Sequence, residues 1–144
     1  MAFLGARMLR HTSTTQGVVA LSSGESQFYA SVKAAQIGFG LIELLRDMGV
    51  LIEQPVHLRM DATAVIGVAS RQGAGRIRHI STPTLWLQGA VMDGRVLLRK
   101  VPGPDNWAGI ATKYVDANSL TKALKACGFV FLHGRSAIAL KAST

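Results

Sequence analysis

The chain has 144 residues, of which 49% are hydrophobic and 17% are charged. This composition is typical of a globular domain and excludes an intrinsically disordered chain. Sixteen lysines and arginines against eight acidic residues give a formal net charge of +8, which favours a polyanionic partner, nucleic acid before an anionic membrane. The single cysteine, Cys127, excludes an internal disulfide framework and a cysteine-rich metal site. The alternative reading of the charge is a basic surface without a ligand.

Targeting and zinc-binding patterns are missing from the sequence. No segment reaches the roughly 18 consecutive apolar residues of a membrane span, and the short, arginine-interrupted apolar run in residues 1–13 does not resemble a secretory signal. We therefore expect no membrane partner and an intracellular location, cytoplasmic or nuclear. The histidines lie apart, without the spacing of a zinc site. They are His11, His57, His79 and His133.

The first predicted elements are a short strand within residues 6–13 and a long helix over residues 24–48. Ser22 or Ser23 can act as its N-cap, and Glu25 lies in the first turn, where acidic side chains are favoured. Apolar residues then recur at steps of three and four, which predicts one buried face. They are Phe28, Val32, Ala35, Phe39, Ile42 and Leu45. The helix is predicted to stop at Gly49.

A strand is predicted over residues 56–60, where apolar and polar side chains alternate. Asp61 ends it, and a short helix follows. Two interpretations of Asp61 are open: it caps this helix, or it belongs to a site at the carboxyl end of the strand. A glycine-containing basic loop over residues 71–81 comes next, and it either clamps phosphates or is solvated. Its candidate nucleic-acid-binding residues are Arg71, Arg76, Arg78 and His79.

The remaining predicted elements are a helix after Pro83, a strand over residues 95–101, and one or two short helices before residue 128. Trp86 lies on a periodic helix and is interpreted as a core residue rather than a platform for stacking on bases. Lys122 and Lys125 are interpreted as a solvated helix face. This order of helices and strands predicts an α/β layered domain with its chemistry at the carboxyl ends of the strands.

Four stretches of the chain resemble, in order, the ribonuclease H domain of copia-type retrotransposon polyproteins. They are QGVVALSSGESQFYA, LRMDATAVIGVASR, RIRHISTPTLWLQ and LLRKVPGPDNWAGIATKYVD. The resemblance covers roughly residues 7–125, and it is specific because four motifs occur in register. It implies a ribonuclease H-like mixed sheet flanked by helices. It also implies an ancestral enzyme that cuts the RNA strand of RNA–DNA hybrids with four carboxylates and two Mg²⁺ ions.

The resemblance also implies that most of those carboxylates are lost here. Asp61 matches one family carboxylate and is the expected catalytic and metal-ligating residue, whereas Gln27 and Gly109 occupy the positions of two others. The fourth would precede Met1. Glu25 and Asp105 are not expected to take over the role of the lost carboxylates. Glu25 is about 200° around the helix from Gln27, and the stretch that contains Asp105 is a loop in the family. Magnesium is therefore not expected to bind productively.

The resemblance predicts an incomplete fold, in which the first two strands of the family sheet are missing. Residues 1–128 would form a partial ribonuclease H-like domain and residues 129–144 a tail of unclear structure. The strand over residues 56–60 would then have an unpaired edge, which is a template for another strand. Trp107 stands where the family usually has proline and is interpreted as a half-exposed packing residue.

The leading functional hypothesis is a truncated, catalytically inactive ribonuclease H-like domain with residual affinity for RNA–DNA hybrids or other nucleic acid. One alternative is an active magnesium-dependent nuclease that is complete only within a longer polyprotein. A second alternative is a domesticated interaction module whose open sheet edge recruits a protein partner. Salt-dependent binding of a hybrid without cleavage would support the first hypothesis, magnesium-dependent cleavage of a hybrid the second, and a stable heteromer from cells the third.

Overall fold

A computed structural model of the chain describes residues 1–17, 19–53, 55–73, 85–111 and 114–130. The first element is a hairpin in which β1 (Ala2–Leu4) pairs antiparallel with β2 (Arg7–Arg10). Gly5 in its turn has a φ of +59°, a conformation that glycine adopts without steric cost. The strand β2 was predicted, but β1 was not, because three residues are too few to show a strand period.

The long helix α1 (Ser23–Asp47) confirms the helix prediction. Ser22 is the N-cap: its Oγ accepts a hydrogen bond of 3.1 Å from the backbone N–H of Glu25. At the other end Gly49 has a φ of +81°, as expected for a glycine stop. Phe28, Val32 and Ala35 are buried, and Phe39 packs against the same core.

A parallel pair of strands lies beneath α1. Strand β3 (Val56–Met60) pairs with β4 (Val96–Lys100) in the register Val56 with Val96 through Met60 with Lys100. The connection between them contains α2 (Thr63–Ala69) and α3 (Trp86–Met92). Such a crossover through helices is what a parallel pair requires.

The core lies between the inner face of β3–β4 and the three helices α1, α2 and α3. Its largest fully buried side chains are Phe28, Val65, Leu87 and Val96. Trp86 packs on this core with its ring centroid 6.0 Å from that of Phe39, which confirms the packing interpretation of Trp86. The opposite face of the pair exposes His57, Arg59, Leu97 and Arg99.

The chain after β4 forms two 3₁₀ turns, Gly103–Asp105 and Trp107–Ala111, and then α4 (Ala117–Ala126). Trp107 is half-buried, as predicted. The backbone N–H of Met8 donates to the carbonyl of Cys127 over 3.4 Å, so the end of α4 reaches the hairpin. Lys122 and Lys125 are exposed, which confirms their predicted solvation.

The mixed α/β class is confirmed, with four α-helices and two small sheets in the described residues. These sheets are separate: β1–β2 is antiparallel, β3–β4 is parallel, and no described strand joins them. The expected single mixed sheet is therefore not what these residues form. Phe129 and Val130 are exposed, and the rest of the predicted tail, residues 131–144, lies outside the described residues.

Helix α1 has 25 residues and is, by length and composition alone, apolar enough to cross a membrane, which the sequence prediction did not anticipate. Core helices of soluble proteins meet the same criterion. In this structure α1 buries Phe28 and Ala35 completely against β3 and its neighbouring helices. One face of α1 therefore packs in the core while most of its residues are not buried, and the absence of a membrane partner stays a prediction.

The N-cap of α4 predicts a pH dependence. The carboxylate of Asp116 accepts hydrogen bonds from the Ser119 hydroxyl and from the backbone N–H groups of Ser119 and Asn118, and these bonds lower its pKa below the ordinary value. A group with a lowered folded pKa stabilises the fold above its unfolded pKa and loses that contribution as pH falls through the folded value. We expect the protection factors of the α4 amides, which are corrected for the intrinsic pH dependence of exchange, to fall below about pH 4.

The control for this prediction is Asp116→Asn, which keeps a capping oxygen but does not titrate. Exchange in α4 of this variant should depend on pH only through the intrinsic chemistry of exchange. Equal acid-induced loss of protection in both proteins, measured by hydrogen exchange, would show that another group is responsible.

Candidate functional site

Glu25, the acid in the serine-rich stretch before α1, serves the helix N-terminus. Its side chain is 2% exposed and accepts hydrogen bonds from the backbone N–H of Leu21 at 2.9 Å and the hydroxyl of Tyr29 at 3.2 Å. Together with the Ser22–Glu25 bond, this arrangement is a variant of the capping box. The carboxylate of Glu25 is thus engaged in holding the start of α1, in agreement with the prediction that it does not replace Gln27.

Gln27 and Asp61 lie at the same end of the α1–β3 layer. The hydroxyl of Ser31 donates to the carbonyl of Gln27 at 2.8 Å and contacts the sulfur of Met60 at 3.2 Å. Asp61 follows Met60 directly, at the carboxyl end of β3, and both Gln27 and Asp61 are exposed. The two positions therefore lie towards the same end of this layer, although they are 34 residues apart in the sequence, 61 against 27.

Asp61 does not cap the following helix. The N-cap of α2 is Ala62, and no side chain accepts a hydrogen bond there. Asp61 itself makes no hydrogen bond or ion pair with another described residue. The interpretation of Asp61 as the N-cap of α2 is therefore wrong, and its exposed carboxylate has no partner among the described residues.

Gly109 lies in the second 3₁₀ turn after β4, where its backbone N–H donates to the carbonyl of Asn106 at 3.0 Å. Asp105 belongs to the preceding turn, and Asn106 separates the two. The two residues are thus not one turn apart on a continuous helix, and this agrees with the prediction that Asp105 does not replace Gly109. A Cβ at Gly109 would meet no atom within 4 Å, so the backbone position itself does not exclude a side chain.

The donor set at this edge is smaller than two-metal catalysis in the resembled family uses. It offers one carboxylate, from Asp61, and one neutral amide, from Gln27, whereas a pair of Mg²⁺ ions is held by several clustered carboxylates. In the described part of the chain, no three histidine, cysteine or acidic residues cluster closely enough to hold a metal.

The basic loop begins on a buried glutamine that the sequence analysis missed. Gln88 of α3 is 4% exposed; its amide oxygen accepts from the backbone N–H of Gly73 at 2.8 Å, and its amide nitrogen donates to the carbonyls of Val68 at 2.8 Å and Gly73 at 3.0 Å. The signal in the sequence is a polar residue within a helix that is otherwise apolar. Arg71 lies in this turn, whereas Arg76, Arg78 and His79 lie outside the described residues.

A second basic surface, also missed, lies on the exposed face of β3–β4. Arg59 and Arg99 stand directly opposite each other in the parallel register, and both are exposed. Neither forms an ion pair with another described residue. Like charges on directly opposed positions of a sheet repel, so this face favours an anionic ligand.

Comparison of the chain with known protein families, with curated proteins and with solved structures finds no match. The likeness to copia-type ribonuclease H is therefore supported by the four sequence motifs alone.

Proposed function

We propose that this chain is a ribonuclease H-like domain of copia-type ancestry that binds nucleic acid without cleaving it. The observation that carries the proposal is that Ser31, one helical turn after Gln27, contacts Met60, the residue before Asp61, so that Gln27 and Asp61 lie towards the same end of the α1–β3 layer. Positions 27 and 61 would both belong to the family's carboxylate site, near the carboxyl end of β3, but only Asp61 is acidic. Gly109, which follows the neighbouring strand, supplies no ligand either.

Binding of nucleic acid is supported by charge. The formal net charge is +8, and two arginines face each other on the open sheet face. The loop sequence contributes further cations in Arg71, Arg76 and Arg78. Phosphate contacts of this kind release counterions and depend strongly on salt, without requiring base-specific hydrogen bonds.

The test is titration of the full chain with a labelled RNA–DNA hybrid at several salt concentrations. We expect binding to weaken as salt rises, and Arg76→Ala with Arg78→Ala to lower the slope of log K against log salt by about 2. The matched control is Lys122→Ala with Lys125→Ala, which removes the same charge from α4 and should leave the slope unchanged. Absence of binding at low salt, or magnesium-dependent cleavage by the unaltered chain, would contradict the proposal.

Restoring acids at the two lost positions tests the assignment of the carboxylate site. Gln27→Glu with Gly109→Asp would place three carboxylates near one edge, and their mutual repulsion makes the folded state favour a divalent cation. We expect millimolar Mg²⁺ or Mn²⁺ to raise the melting temperature of this variant but not that of the unaltered chain.

The matched control adds the same charge elsewhere, as Gln36→Glu with Gly103→Asp, at positions that are exposed. Its melting temperature should not respond to the cation. An equal response in both double variants, or in neither, would show that positions 27, 61 and 109 do not share a site.

A protein-interaction role is a second candidate, favoured by the unpaired edge of β3. The backbone groups of His57 and Arg59 on that edge have no partner among the described residues.

A further inference from the structure

Helix α1 has a second apolar face, on the side turned away from the core. Apolar side chains recur on this face at steps of four and three, and we call them the outer stripe. They are Ala30, Ala34, Ile37, Leu41, Leu44 and the C-cap Met48. Ile37 is about 200° around the helix from both Ala35 and Phe39, which pack in the core. Helices that are apolar on all sides are normally buried on all sides.

The outer stripe is largely open to solvent. Leu44 is 54% exposed and Met48 is 70% exposed. A groove of about 370 Å³ lies beside Ile37 and Leu41, and Arg10 of β2 borders it. Exposed apolar side chains that adjoin one another, rather than standing singly, mark a surface that contacts another molecule.

The spacing of the outer stripe is that of a helix that packs lengthwise against another helix. Steps of four and three average 3.5 residues, the period at which one seam stays in contact with a partner helix over several turns. From Ala30 to Met48 the stripe is about 27 Å long. The cover that fits this pattern is therefore a helix.

The outer stripe complements itself when a second α1 runs in the opposite direction. Antiparallel alignment about position 39 opposes each alanine of one copy to a long side chain of the other. The opposed pairs are Ala30 with Met48, Ala34 with Leu44, and Ile37 with Leu41. Parallel alignment would oppose alanine to alanine and methionine to methionine, which packs the two ends unevenly. A surface that fits a rotated copy of itself is what a twofold dimer requires.

The charges beside the outer stripe favour the same alignment. Lys33 and Asp47 lie on one flank of it, about 40° and 80° from Ile37 in the same direction. Both are exposed, and neither forms an ion pair with another described residue. Lys33 donates to the hydroxyl of Thr14 at 2.7 Å, and its ammonium group has further hydrogens for a carboxylate. Because the same flank of each helix meets in an antiparallel pair, Lys33 of one copy lies beside Asp47 of the other, at two symmetric places.

We propose that the outer stripe of α1 is a dimer interface, in which a second copy of this chain packs antiparallel on the first. The apolar side chains of the stripe interdigitate along the seam, and Lys33 pairs with Asp47 of the other copy on its flank. The inference goes beyond the proposed function, since it needs neither the ancestry nor nucleic-acid binding.

Other occupants fit the outer stripe less well. Residues 74–84 and 131–144 of the same chain contain no acidic side chain, so they offer Lys33 no carboxylate side chain. An anionic membrane would meet Asp47 beside the stripe and be repelled by it, whereas the second copy pairs Asp47 with Lys33. Nucleic acid offers no apolar side chains to cover Leu44 and Met48.

The first test is sedimentation equilibrium of the full chain at about 0.15 M salt, where the repulsion between two chains of net charge +8 is screened. We expect a reversible monomer–dimer equilibrium between about 1 and 100 µM. A chain that stays monomeric at the upper concentration would overturn the proposal.

A charge placed on the outer stripe assigns the dimer to this face. Leu44→Glu should weaken dimerisation at least about tenfold, because each copy then buries an unpaired carboxylate against alanine. The monomer should remain folded, since Leu44 is already 54% exposed. The matched control is Leu120→Glu, at a leucine of α4 that is 39% exposed, and it should leave the dissociation constant unchanged. Equal weakening by both variants would contradict the assignment.

An exchange of charges supplies a rescue that misfolding cannot imitate. Lys33→Glu and Asp47→Lys should each weaken the dimer about fivefold, because each brings like charges together at two places. The double variant Lys33→Glu with Asp47→Lys should return the dissociation constant to within about twofold of the original. The control Lys125→Glu, on α4, should have no effect. Weakening in the double variant that equals the product of the single effects would overturn the proposed pairing.

Disulfide cross-linking determines the direction of the two helices. Cys127 is buried, so the introduced thiols are the ones that react. A mixture of the Ala34→Cys and Leu44→Cys chains should form a linked dimer on mild oxidation, whereas neither chain alone should link to itself. Linking of Ala34→Cys to itself would show a parallel pair and overturn the proposal. So would binding of the unaltered chain to phosphatidylserine-containing vesicles that Leu44→Glu abolishes, if no dimer forms in solution.

Discussion

Replacing Gln88 by leucine is expected to lower the free energy of unfolding by about 3 kcal/mol, because the change removes three hydrogen bonds at once, one of them buried and two partly buried. The carbonyls of Val68 and Gly73 and the N–H of Gly73 would each lose the partner that Gln88 now supplies. Val68 lies in the last turn of α2, where helical carbonyls have no partner within the helix. The Gln88 amide thus also caps α2 from a neighbouring helix.

Leucine is the informative substitution because it nearly preserves the volume of glutamine, so the loss reports on hydrogen bonds rather than on a cavity. Urea denaturation of the two proteins measures the difference. The matched control is Gln72→Leu, a glutamine in the same turn that is exposed and should change stability by less than about 0.5 kcal/mol. A Gln88→Leu variant as stable as the control would show that the three bonds do not hold the turn.

Replacing Gly38 by valine is expected to destabilise the fold by about 2–3 kcal/mol relative to the same substitution at Gly40. A Cβ at position 38 would lie 2.8 Å from Cγ1 and 3.2 Å from Cγ2 of Val56, closer than packed side chains approach. Valine is branched at Cβ and Val56 lies within β3, so neither side chain can swing away freely. Helix α1 would have to move off β3 and loosen the core around Leu58.

Gly40 is the matched control because it lies on the same helix and a Cβ there would meet no atom within 4 Å. The helix propensities of the two variants are the same, so the difference between their unfolding free energies isolates the contact with Val56. Calorimetric melting of both variants measures it. Equal melting temperatures would mean that α1 and β3 are further apart than the structure places them.

The course of the chain was predictable wherever a local pattern specifies an element. The helix predicted over residues 24–48 is Ser23–Asp47, and the strand predicted over residues 56–60 is Val56–Met60. Both predictions depend on periods of 3.6 and 2 residues that are visible within one segment. The three-residue strand β1 has too few residues for either period and was missed.

The candidate site was predictable only as a set of positions. The motifs single out Gln27, Asp61 and Gly109, and they exclude Glu25 by its angle around the helix. They do not show that Glu25 is buried and caps the start of α1. They also do not show that the N-cap of α2 is Ala62 rather than Asp61. The hydrogen-bond partner of a polar group depends on contacts between segments that are distant in the chain. Such contacts produce no periodic pattern in the sequence.

The sequence by itself determined the mixed α/β class, the long core helix and the basic character of this protein, because composition and periodicity act within one segment at a time. Only the tertiary structure decided that the described strands form two separate sheets, that Gln88 holds the turn at Gly73, and that no described strand pairs with the edge at His57 and Arg59. The physical reason is that strand pairing and the satisfaction of buried polar groups join residues far apart in the chain.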